Sequence, residues 1–155
     1  MRQTIQSQLP ICELKYSNQL SAFQVIGIVT DLANYHSQYG EQSVFDFISR
    51  LTPMLETGQA KIFFDDEHRP YGYASWVLIP ENIHQSMLAG EGSEAELAAY
   101  FSETTGDRLW FFDFLCPFCT PLMMFQWLKQ ELACHTNAYL GRYASGSGNA
   151  VRRLW

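Results

Sequence analysis

Cys116-Pro117-Phe118-Cys119 is the most conspicuous chemical motif in the chain. It follows an aromatic and aliphatic run and precedes a segment with helical character, a place where a helix N-terminus lowers a thiol pKa and suits disulfide exchange. A thiol oxidoreductase is therefore one reading. Against it, the preceding segments read as helices and an antiparallel hairpin, where a thioredoxin-like protein needs a βαβ unit. Metal binding would require further ligands, but Cys12, Cys134 and His135 form no second closely spaced pair of the kind structural zinc sites use. Two small core thiols remain the plain alternative, and no metal is expected.

Asp113 is unusual in another way. Trp110-Phe111-Phe112-Asp113-Phe114-Leu115 sets one carboxylate inside an apolar run. Burying it is costly unless donors or a cation receive it. It either caps backbone amides or pairs with an arginine such as Arg108 or Arg142, or it serves catalysis. Three of the four histidines have ordinary explanations: His68 lies in an acidic turn, His84 in a short polar helix that leaves it solvated, and His135 at a helix C-terminus. His36, flanked by Tyr35 and Ser37, is equally compatible with helix termination and with a site.

The elements that must carry these residues are legible from periodicity. Leu20, Phe23, Ile26, Val29, Leu32 and Ala33 form one stripe of a helix over Asn18 to Tyr39, with His36 at its C-terminal end. Phe45, Ile48, Leu51 and Leu55 predict a second helix from Glu41 to Leu55, which Pro53 should kink or divide. Lys61 to Asp65 and Tyr71 to Ile79 read as a β-hairpin. Short helices follow over Glu81 to Leu88 and Ser93 to Ser102, the latter opened by a Ser93/Glu96 capping box. Arg108 to Leu115 reads as a strand buried on both faces, Thr120-Pro121 as the start of a helix to about Ala133, and Asn137 to Tyr143 as a last strand.

The 155 residues fit a single domain, with 1–16 as an N-terminal extension and 144–155 as a mobile tail around Ser145-Gly146-Ser147-Gly148. A content of 47% hydrophobic and 15% aromatic residues supplies a core. A net charge of −6, without any basic run, argues against a nucleic-acid partner. No apolar stretch reaches the ~20 residues of a membrane span, and the N-terminus lacks the apolar centre of a signal peptide, so a cytoplasmic location with reduced cysteines is expected.

The stretch Thr105-Gly106-Asp107-Arg108-Leu109-Trp110-Phe111-Phe112-Asp113-Phe114-Leu115-Cys116-Pro117-Phe118 resembles the toxin-activating lysine acyltransferases, the hemolysin-activating proteins. Pro70-Tyr71-Gly72-Tyr73-Ala74-Ser75-Trp76 resembles the end of that family's hairpin, at a matching separation. A looser match sets His36 on the family's catalytic histidine, between a helix containing Gly27 and an amphipathic segment containing Pro53. The sequence departs from the pattern at Cys116 and Cys119, where the family usually has alanine and glycine. It also lacks a clear counterpart of a polar asparagine in the second helix, whose place falls to Ser49 or Arg50.

The resemblance implies an α+β fold related to the GNAT acyltransferases, a mixed, mainly antiparallel sheet flanked by helices. It implies no bound cofactor, an acyl-carrier-protein or CoA thioester as co-substrate, and a lysine or ornithine side chain in a protein toxin or ribosomal peptide precursor as acceptor. His36 and Asp113 inherit the catalytic roles, with His36 as base or nucleophile and Asp113 on its other ring nitrogen. Ser75, Trp76, Arg108, Trp110 and Phe112 are the expected acyl or substrate contacts. An acidic carrier protein would dock on a local basic patch, expected at Arg142, Arg152 and Arg153, then Arg69 and Lys61. A homodimer is compatible with the chain. The competing functions are the thiol oxidoreductase and a binding module that holds acyl chain or carrier without turnover.

Overall fold

Ser21 opens the first ordered element. In the computed structural model, which describes residues 20–118, 120–132, 137–142 and 150–155, its hydroxyl accepts from the Gln24 amide while the Gln24 side chain accepts from the Ser21 amide. This reciprocal cap starts helix α1, Ala22–Asn34. The helix ends before His36, contrary to the expected extent. His36 stands in extended backbone at the entrance of a 3-10 turn, Ser37–Tyr39.

Helix α2, Val44–Thr57, runs uninterrupted through Pro53 and closes on the left-handed Gly58. Proline removes one helical donor, and that loss falls opposite the carbonyl of exposed Ser49, so no division results. The buried stripe is Phe47, Leu51, Met54 and Leu55, whereas Phe45, expected in it, is 78% exposed. The hairpin pairs β1, Ala60–Phe64, with β2, Pro70–Ile79. Helices α3, Glu81–Leu88, and α4, Glu94–Ala98, follow, with the Ser93/Glu96 capping box formed. Strand β3, Arg108–Leu115, lies antiparallel to β2, and helix α5, Leu122–Glu131, leads into β4, Ala138–Arg142, parallel to β3. Pro121 occupies the N-cap of α5, one position earlier in the helix than expected, and Thr120 makes no cap.

A fifth strand, β5, Ala150–Arg153, pairs antiparallel with β4, so residues 150–153 belong to the sheet and the expected tail does not extend over them. Ser145-Gly146-Ser147-Gly148 and residues 1–16, expected as a mobile tail and an extension, lie outside the described residues, as do Cys12, Cys119, Cys134 and His135. The sheet order is β1-β2-β3-β4-β5, antiparallel except for β3 with β4, which gives the mixed α+β architecture.

One core joins α1 and α2 to the sheet through Val25, Val29, Leu32, Leu51, Met54, Tyr73, Val77 and Trp110. On the other face Met124 and Leu128 of α5 cover Phe63, Trp76, Leu109 and Phe111. Among the described residues no helix is long and apolar enough to cross a membrane.

Candidate active site

The register of β2 on β3 decides where Asp113 points. Trp76 faces Phe111 but Ser75 faces Asp113, so Phe112 is an extra residue, a β-bulge. Side chains alternate along a strand, and strict alternation would send Asp113 to the face shared by Leu109 and Phe111. The bulge instead turns Phe112 and Asp113 both toward α2 and the His36 turn, where Phe112 joins the α1–α2 core and Asp113 meets its partners.

Asp113 is 3% exposed and well received. The Tyr39 phenol donates to Oδ1 at 2.5 Å, and an Arg50 terminal nitrogen donates to the same oxygen at 3.3 Å. The Ser75 hydroxyl donates to Oδ2 at 3.1 Å and in turn accepts from the Asp113 amide at 3.1 Å. The cation comes from Arg50 in α2, and Arg108 is bonded to Glu81 instead. Arg50 is enclosed by aromatic faces, its guanidinium carbon 5.0 Å from the Phe112 ring centre, 5.4 Å from Phe47 and 5.6 Å from Tyr39. A second carboxylate, Glu94, stands 3.6 Å from it. Removing either member of such a buried pair would cost roughly 3–5 kcal/mol.

His36 reaches this cluster through Tyr39. The Tyr39 amide donates to the His36 carbonyl at 3.0 Å, and the two rings meet edge to face at 6.4 Å. The His36 Nε2 is buried and makes no hydrogen bond among the described residues. Burial lowers the imidazole pKa below its ordinary value, so the ring is neutral at pH 7 and can accept a proton. The expected hydrogen bond from the other ring nitrogen to Asp113 is not formed; the carboxylate oxygens accept from Tyr39, Arg50 and Ser75.

The remaining expected site residues divide. Ser75 is in the cluster and Phe112 lines it. Trp76 lies on the α5 face against Phe111. Trp110 is fully buried, stacked on Tyr139 at 5.3 Å, its indole donating to Nδ1 of His84 at 3.0 Å. His84 is thus a buried acceptor, 3% exposed, and not the solvated side chain expected. Arg108 is at the opposite end of β3, facing Ile79 and bonded to Glu81. Arg152 and Arg153 are exposed on the edge strand β5, while the Arg142 side chain lies outside the described residues. Arg69 is paired with Asp65 and Glu67, and Lys61 is buried over Trp127, its nitrogen 3.5 Å from the ring centre, so neither offers a free docking charge. Cys116 is half-buried just beyond β3.

Sequence reasoning missed Tyr39 as a partner of Asp113 and left the place of Arg50 open with Ser49. The available signal was the position of Arg50 beside Leu51 and one turn from Phe47 and Met54, which puts a cation at the border of the buried stripe.

The arrangement therefore offers a neutral imidazole with an unoccupied nitrogen, joined by one tyrosine to a buried, charge-balanced carboxylate, on a mixed sheet whose β3 and β4 pair only from Leu109 to Phe111. No curated protein matches the chain. The model of the RTX toxin acyltransferase family matches residues 18–154, which takes in every described element and the whole cluster around Asp113. The chain belongs to the RTX toxin acyltransferase family, and it is an acyltransferase of the toxin-activating kind.

Proposed function

We propose that the protein moves a fatty acyl group from an acyl-carrier-protein thioester, with CoA as the alternative carrier, to the side-chain amine of a lysine or ornithine in a protein toxin or ribosomal peptide precursor made in the same cytoplasm. The observation that carries this reading is the unoccupied, partly desolvated Nε2 of His36 beside the Asp113 cluster, in a chain of this family.

The reaction needs a base. Lysine, with a reference pKa near ~10.4, attacks only as the neutral amine. The amine nitrogen bonds to the thioester carbonyl carbon while His36 Nε2 takes its proton. The carbon–sulfur bond then breaks, and the imidazolium returns the proton to the departing thiolate. The buried negative charge of Asp113 favours the imidazolium while it exists. The donor's carbonyl can be addressed by the backbone of β3 from Phe112 to Leu115, beyond its pairing with β4. A carrier protein, being acidic, is proposed to dock on the β5 edge through Arg152 and Arg153.

The test uses purified chain, acyl-carrier protein charged with a fatty acid, and a lysine-containing acceptor. His36→Ala should lower the turnover number by at least about a hundredfold, the scale of lost general-base catalysis. The His36-dependent part of the rate should be lost on acidification only below about pH 6.5, because burial lowers the His36 pKa. An active His36→Ala protein would overturn the assignment.

A further inference from the structure

Tyr39 is held more firmly than any exposed turn residue needs to be. Its amide is tied to the His36 carbonyl at 3.0 Å and its phenol to Asp113 at 2.5 Å. Its ring packs edge to face on Phe47 at 5.9 Å and lies under the Arg50 guanidinium. The same ring meets the His36 imidazole edge to face. The turn that carries His36 has neither a side-chain cap nor an acidic or basic residue at its ends to fix it, since His36 as N-cap accepts no amide. The phenol thus gives a side-chain hydrogen bond that fastens this turn to the sheet.

We propose that Tyr39 is a positioning residue for acyl transfer. Its phenol, anchored on the bulge-directed carboxylate of Asp113, sets the Ser37–Tyr39 turn and with it the direction of the His36 imidazole. Asp113 then acts on His36 through Tyr39 and not by direct contact. This rests on His36 as the base and goes further by naming what aims it. An error of about an ångström in the placement of a catalytic group can cost on the order of a hundredfold in rate.

Tyr39→Phe keeps the ring contacts with Phe47, Arg50 and His36 and removes the hydroxyl alone. Its turnover number should fall at least about tenfold, with KM for donor and acceptor within about twofold, the signature of a loss felt at the chemical step. Placed in an Asp113→Asn background, Tyr39→Phe should change the residual turnover by less than about twofold, because groups that act as one unit are non-additive. A general structural role would lower the melting temperature and add its effect to that of Asp113→Asn. Turnover within twofold of wild type for folded Tyr39→Phe, or full additivity, overturns the proposal while leaving His36 as base untouched. Loss of the base assignment is read separately, from an active His36→Ala protein. Should Tyr39→Phe fail to fold, 4-aminophenylalanine at position 39 keeps the ring and a donor for Asp113; its turnover number should stay within about threefold of wild type, and a loss of about tenfold or more in the folded protein overturns the proposal.

Discussion

A carboxylate at 3% exposure persists only where its charge is met, and Asp113 meets one cation and two hydroxyl donors. The same accounting makes buried His84 and half-buried His36 sensitive to acid. Burial lowers the pKa of His36, and for His84 burial again dominates, with nearby Glu81 opposing and Arg108 assisting. The unfolded chain takes up these protons near the reference value of ~6.5, the folded chain only at lower pH, so the stability they permit is complete above that value and declines below it. The melting temperature should fall between about pH 7.5 and pH 5.5, and His84→Gln, which keeps an acceptor for the Trp110 indole, should flatten that fall. A melting temperature that rises on acidification through this interval would contradict the desolvation of the two rings. Asp113 was legible as an expensive residue from its apolar neighbours, but the identity of its cation was not. Arg50 lies far away in the chain, and only the packing of α2 on the bulge brings the two together.

At the scale of elements, the hairpin, the capped helix α4 and the strand Arg108–Leu115 are readable from alternation, turn residues and caps. The second helix was read with its stripe rotated, because Phe45 and Phe47 fit a helical period about equally and only tertiary contact selects Phe47. The bulge was invisible for a related reason: a run of aromatic residues on both faces carries no alternation from which a one-residue slip could be noticed. Entry into β3 depends on Gly106. A Cβ there would overlap the backbone of Leu78 and Ile79, which cannot yield as a flexible side chain could. Gly106→Ala should therefore cost about 1–3 kcal/mol, visible as a lower denaturation midpoint, and should disturb the Ile79–Arg108 end of the strand pair before the Ser75–Asp113 end. An unchanged midpoint would contradict the close approach of these strands.

For the molecule as a whole, one sheet divides the labour. Its α1–α2 face holds His36, Tyr39, Arg50 and Asp113, its other face packs α5, and its β5 edge presents Arg152 and Arg153. The mixed α+β architecture followed from the order of elements and from the family resemblance. The fifth strand did not, since Ala150–Arg153 is too short and too polar to signal a strand until β4 is there to pair with it. The direct test of the function is the intact mass of a lysine- or ornithine-containing toxin or peptide precursor co-expressed with this chain, with its His36→Ala form, and alone. The expected result is a fatty-acyl mass increment on a side-chain amine with the wild-type chain and none in the other two samples. An increment that persists with His36→Ala would contradict the account at its centre.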